Sequence, residues 1–192
     1  MQGRRLSKPA RRAQLIEAAM TLVRRDGVDR LTLARVAEEA GVSKPIAYDH
    51  FEDRKGLLLA LYAAFDDIKA QELEAAIDTA ERTLAAVSRL VSRAYMRCYS
   101  DTGGEWHAIR GALAGSEEMN AVHTGLLEGY VGLFHDALEP YALDGQPDLR
   151  LRCIGLVGAA EALSAAMTRG EVSEAQAART LEELMQRAVM TA

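Results

Sequence analysis

The sequence predicts an all-α protein in two parts, a group of short helices over residues 1–56 and a longer helical bundle over 57–192. Three observations predict it. Apolar residues recur three and four apart through segments rich in Ala, Leu, Glu and Arg, which is the helical period. The only prolines, Pro9, Pro45, Pro140 and Pro147, all fall at or near helix boundaries. Alternating strand-like patterns are almost absent, and Gly27 and Gly41 fall where short helices of the first part should end. At 192 residues and 49% apolar, the chain can bury a core, and a disordered chain is excluded.

In the first helix Ser7 is the candidate cap, Pro9 sits in the first turn, and Leu15, Ile16, Ala19, Met20 and Val23 form one face, with Gly27 ending it. Thr32 caps a short second helix carrying Leu33, Val36, Ala37 and Ala40, which stops at Gly41. Ser43 caps a third, with Pro45 in its first turn and Ala47 and Phe51 at i, i+4 on its inner face. Asp53 caps a fourth helix bearing Leu57, Leu58, Leu61, Tyr62 and Phe65. Further helices are expected at 71–79, 82–99, 104–114, 117–139, 147–169 and 173–190, the last opened by a capping box of Ser173 and Gln176. Loops are expected at 101–104 and 140–147.

Two short helices joined by a tight Gly41 turn, with small Ala37 one turn earlier, describe a helix-turn-helix corner. Burying Val36, Ala40, Val42, Ala47 and Phe51 in that corner leaves Lys44, Pro45, Ile46, Tyr48, Asp49 and His50 facing outward or partly outward. A corner that only supports the fold has no need of a Lys, a Tyr and a His on one exposed helix; a helix that enters a DNA major groove does. Charge agrees. Residues 1–56 hold 12 Lys and Arg against 8 Asp and Glu, whereas 57–192 hold 11 against 20, within an overall net charge of −5. A basic head on an acidic body suits phosphate contact, although two solvated surfaces would show the same composition.

The run Leu31 to Phe51 resembles the DNA-binding signature of the TetR family of bacterial regulators. The match lies in Ala40-Gly41-Val42-Ser43, then Tyr48-x-x-Phe51, then Arg54-Lys55 before Leu57-Leu58. Two departures stand out: Pro45-Ile46 replaces the family's usual Gly-Thr, and Arg54-Lys55 its Lys-Glu. The resemblance implies phosphate contacts from Thr32, Ser43, Tyr48, His50 and Lys55. By their chemistry Lys44, Pro45 and Asp49 are the candidates for base edges. Tyr48 has a second reading as a core aromatic with a wet tip, and Asp49 as the partner of a neighbouring cation. Arg4 and Arg5 read either as an arm into an adjacent groove or as a tail. The family further implies a repressor that binds a near-palindromic double-stranded DNA operator as a homodimer and is released by a small-molecule effector.

The body offers less. Tyr95, Tyr99, Trp106, His107, Arg110, His123, Tyr130 and Phe134 gather there in a chain with only ten aromatics, and are either an effector pocket or core. Gly155, Gly158, Ala159, Ala162, Leu181 and Leu184 read as a close-packed dimer interface or as an internal helix pair. Cys98 and Cys153 make no disulfide framework, and Cys153 reads as buried. No cofactor or metal site is expected, because the His and Cys spacing suits none. No nucleophile elbow, phosphate loop or His-Glu-x-x-His occurs, so an enzyme and a helical module binding only a ligand or protein are the alternatives, not the expectation. No apolar run approaches the roughly 20 residues needed to cross a bilayer, which makes the expectation a soluble, cytoplasmic protein without a membrane partner.

Overall fold

The computed structural model describes residues 6–101, 104–143 and 148–190, and no strand occurs among them. The helices in order are α1 (Lys8–Asp26), α2 (Leu33–Glu39), α3 (Lys44–Phe51), α4 (Arg54–Thr79), α5 (Leu84–Asp101), α6 (Glu105–Ala112), α7 (Glu117–Leu138), α8 (Leu149–Thr168) and α9 (Glu174–Met190). Packing divides the chain into two compact units. The head gathers the residues up to Phe65 with Glu105–Met119, and the body gathers Asp66–Gly104 with the residues from Asn120 onward. Arg4 and Arg5, and parts of both expected loops, lie outside the described residues.

One expected break is absent. α4 runs unbroken over 26 residues where a fourth helix and a separate helix at 71–79 were anticipated. The intervening Asp66-Asp67-Ile68-Lys69-Ala70 contains no Gly or Pro, so nothing stops propagation.

In the head, the Ser7 hydroxyl accepts from the Ala10 N–H at 3.3 Å, and α1 buries Leu15, Ala18, Ala19, Leu22 and Val23. Ile16 and Met20 are only half-buried, so the inner stripe is turned slightly from the expected one. Gly27, at φ 82°, donates its N–H to the Val23 carbonyl. Thr32 caps α2, its hydroxyl oxygen accepting from the Arg35 N–H at 3.3 Å. Gly41, at φ 66°, turns the chain into α3 while the Val42 N–H donates to the Ala37 carbonyl at 2.9 Å. Ala37 and Ala47 are wholly buried.

Arginines brace this corner. Arg35 pairs with Asp26, and Arg25 with Glu39 at 3.1 Å. Arg54 donates to the Val28 carbonyl at 2.8 Å and the Leu31 carbonyl at 3.0 Å, which serves polar groups that the irregular segment between α1 and α2 leaves unpaired. Phe51, Leu57, Leu61 and Tyr62 close the head core, each burial contributing about 1.5–3 kcal/mol. Between α3 and α4 the turn is tight. Asp53 caps α4 by accepting from the Gly56 N–H at 2.8 Å, and a Cβ placed on Gly56 would lie 2.2 Å from the Phe51 carbonyl oxygen.

In the body, α5 packs against α8 and α9. The capping box forms as expected: Gln176 Oε1 accepts from the Ser173 N–H at 2.9 Å, and the Gln176 N–H donates to Ser173 Oγ at 3.3 Å. α9 buries Ala177, Ala178, Leu181, Met185 and Val189. α8 buries Leu149, Cys153, Leu156, Val157, Ala160 and Ser164. By length and composition alone α8 could cross a membrane, a property that reading the chain for long apolar runs misses because Arg150, Arg152 and Glu161 interrupt the run.

Gly56→Ala is expected to cost about 3 kcal/mol, because its Cβ meets backbone that cannot yield. Gly41→Ala, strained in φ but with open space around it, should cost only about 1 kcal/mol. Urea unfolding of the two variants checks the order.

Candidate nucleic-acid interface

α3 is eight residues long and buries only Ala47 and Phe51. Pro45 in its first turn lacks an N–H that would in any case go unpaired, and it pre-sets φ for the helix. Ser43 is extended at the N-cap and makes no capping bond, so its hydroxyl is available. Lys44, Pro45, Tyr48 and Asp49 are exposed, and Ile46 and His50 are half-buried. Tyr48 is 50% exposed, which sets aside its reading as a core aromatic. Asp49 forms no ion pair among the described residues, so its carboxylate is not committed to a neighbouring cation. Thr32, also exposed, uses its oxygen as a cap acceptor and keeps its O–H to donate.

Two grooves meet at His50. One, of about 560 Å³, is lined by Leu6, Lys8, Arg11, Ile46, Asp49 and His50. The other, of about 430 Å³, includes Arg12, His50, Lys55 and Glu118. The tertiary structure thus adds Lys8, Arg11 and Arg12 of α1 to the residues expected from sequence. Their spacing of three and four along α1 is the one signal that places them together. Arg12 also holds α3 in place: it donates to the His50 carbonyl at 3.1 Å and lies 4.8 Å over the Phe51 ring. Burial, then the charges of Lys8 and Arg12, lower the His50 pKa below its ordinary 6.5, with Asp49 acting the other way.

Of the two basic residues opening α4, Arg54 is committed to backbone carbonyls, and Lys55 is the accessible one. Lys55 is ion-paired with Glu118, Nζ to Oε2 at 2.7 Å.

The eight residues considered for an effector pocket fall in different units. Trp106, His107 and Arg110 belong to the head, where Trp106 stacks on Tyr62 with ring centres 4.8 Å apart. Tyr95, Tyr99, His123, Tyr130 and Phe134 belong to the body. There Tyr95 lies 5.3 Å from Tyr99, 5.6 Å from Tyr130 and 6.0 Å from Phe134, centre to centre. Buried polar groups, which sequence reading missed, accompany these rings. Tyr130 donates to Asp66 at 3.1 Å, and the Lys69 ammonium sits 4.0 Å over the Tyr99 ring. His123 lies 3.5 Å from Glu161. Burial pushes the Cys98 thiol up to about 12 and the Cys153 thiol up to about 11, so both stay protonated.

The residues considered for a dimer interface also separate. Leu181 is fully buried within its own body unit, on the α9 face packed against α5 and α8, and so is withheld from a partner. Gly155, Gly158 and Ala162 are exposed, Ala159 is half-buried, and Leu184 is 37% exposed. Leu151 and Ile154 join them on α8, 67% and 49% exposed.

The profile of the family described as bacterial regulatory proteins, tetR family, matches residues 15–61. The HTH-type transcriptional regulator BetI of Yersinia pestis is 45% identical over 53 residues, which cover 28% of this chain and 27% of that protein. The match thus spans about a quarter of that relative's length. Among solved structures, a TetR-family transcriptional regulator from Streptomyces coelicolor superposes with a TM-score of 0.72 at 21% identity, covering 95% of this chain and 80% of its own. The multidrug binding protein EbrR, solved with imidazole, gives 0.72 at 19% identity, covering 95% and 96%. These two likenesses establish the fold across both units.

Tyr130→Phe removes the hydroxyl that Asp66 accepts from and leaves a buried carboxylate short of a donor. The expected cost is about 1–3 kcal/mol, read by thermal unfolding.

Proposed function

The chain carries a TetR-family domain at residues 15–61, and on that premise we propose that it is a transcriptional repressor, not an enzyme, that binds double-stranded DNA as a homodimer. The observation that carries the reading is α3, a short helix with only Ala47 and Phe51 buried and Lys44, Pro45, Tyr48 and Asp49 presented to solvent. A helix so displayed, braced by α2, suits entry into a major groove. Thr32, Ser43, Tyr48, His50 and Lys55 serve the backbone, joined by Lys8 and Arg11. Lys44 serves guanine acceptors, Pro45 a thymine methyl and Asp49 a cytosine amino group.

Two copies meet through the outward face of α8, with Leu184 of α9. Only 28% of the apolar window of α8 is buried, and Gly155, Gly158 and Ala162 on that face let helices approach closely. Two-fold symmetry then requires a near-palindromic operator. A small-molecule effector acts in the body, near Tyr95, Tyr99, His123 and Tyr130, where aromatic rings and buried polar groups are combined. α4 passes unbroken from Lys55 in the head to Thr79 in the body and transmits the effector's preference for one state. The chain works in the cytoplasm, where its DNA is.

Retention on random duplex DNA at low salt, with release at moderate salt, tests the reading; a chain that passes through unretained is a helical ligand- or protein-binding module instead. Tyr48→Phe should weaken binding to all sequences about fivefold without altering the salt slope. Lys8→Ala should flatten that slope by about 0.9. Phosphate near His50 favours the proton that burial and the neighbouring cations oppose. Affinity should therefore rise as pH falls and the imidazole takes up its proton, and His50→Gln should remove the trend. Ile154→Glu should give a monomer by sedimentation and weaken operator binding; a dimer that survives it would move the interface off α8.

A further inference from the structure

We propose that Glu118 is a built-in competitor of the DNA backbone, its carboxylate holding the place beside Lys55 that a phosphate takes when DNA binds. The inference rests on the reading of Lys55 as a backbone contact. It deepens that reading by naming a residue that lowers the head's affinity for DNA of any sequence.

Lys55 lies in the first turn of α4, where unpaired backbone N–H groups and the helix dipole favour an anion. The anion present is Glu118 of α7, 2.7 Å from the Lys55 ammonium. It is held there from both sides. Ser116 Oγ donates to Glu118 Oε2 at 2.8 Å while itself accepting from the Met119 N–H at 3.3 Å, so the α7 cap and the carboxylate's position are set together. The hydrogen bond from Lys55, with those from the backbone and Ser116, takes the Glu118 pKa down to about 2, so the carboxylate is charged at neutral pH. Yet the side chains of Lys55 and Glu118 are 42% and 60% exposed, and the groove they share includes Arg12 and His50. A phosphate arriving beside His50 therefore meets Glu118 as a like charge competing for Lys55.

The competition has a signature in salt dependence. When DNA displaces Glu118 from Lys55, the lysine exchanges one anionic partner for another and the freed carboxylate repels the DNA, so Lys55 adds less to the salt slope of the native protein than an unpaired lysine would. With Glu118→Gln that offset is removed.

The test measures fluorescence anisotropy of a labelled random-sequence duplex with the full chain, between about 50 and 200 mM salt. It compares the native protein, Glu118→Gln, Lys55→Met and the double variant. Glu118→Gln should bind about two- to fivefold more tightly at the lowest salt, as suits an exposed ion pair. Its salt slope should steepen, by up to about 0.9, and both effects should vanish in the Lys55→Met background. Glu118→Ala reports the same if the glutamine variant fails to fold. Unchanged affinity and slope in Glu118→Gln, or an equal gain without Lys55, overturns the proposal. Failure of the native chain itself to bind duplex would overturn the DNA reading, and this proposal with it, and differs visibly from failure of the variant alone.

Discussion

The head depends on one close approach, the turn at Gly41 that lays α3 across α2 with Ala37 and Ala47 wholly buried. A larger side chain at either alanine would separate the helices, and a packed core has no slack to absorb it. With the inner face given to Ala47 and Phe51, the remaining side chains of an eight-residue helix have nowhere to go but outward. The chemistry of the surface follows from the geometry of the crossing. Arg12 completes the arrangement by tying the His50 carbonyl and the Phe51 ring back to α1.

The head's positive charge divides by role once its partners are known. Arg25, Arg35 and Arg54 are bound to carboxylates or backbone carbonyls and hold the corner together. On the proposed reading Lys8, Lys44 and Lys55 meet the DNA beside Arg11, Lys55 only by releasing Glu118. A charge count treats these and the bracing arginines alike. The physical difference is that an arginine's planar fork satisfies two carbonyls at once, as Arg54 does, whereas a lysine keeps a mobile point charge near the surface.

The body combines features that a purely structural bundle does not need. Asp66 and Lys69 are buried beside tyrosines whose rings contact one another, an arrangement that costs desolvation and is tolerable only because hydrogen bonds and the Tyr99 ring offset it. α8 leaves leucine, isoleucine and glycine exposed along one side. A site for a small molecule and a face for a second copy account for these two features within the regulatory reading.

Helix periodicity, caps and glycines made the all-α class legible in the sequence, and the turn from α2 into α3 with it, because these are set by local backbone chemistry within a few residues. Thr32, Asp53 and the Ser173–Gln176 box cap as their spacing predicts. The exposed side of α3 was legible too, since an i, i+4 inner face dictates its complement. What lay beyond local rules was decided by contacts distant in sequence. Residues 105–119 join the head, Leu181 turns inward, Trp106 stacks on Tyr62, Arg54 seeks carbonyls more than twenty residues away, and Glu118 comes to rest on Lys55. Periodicity says which face of a helix is buried but not which neighbour covers it. That choice belongs to side-chain volume and charge meeting across the fold, and only the tertiary structure makes it.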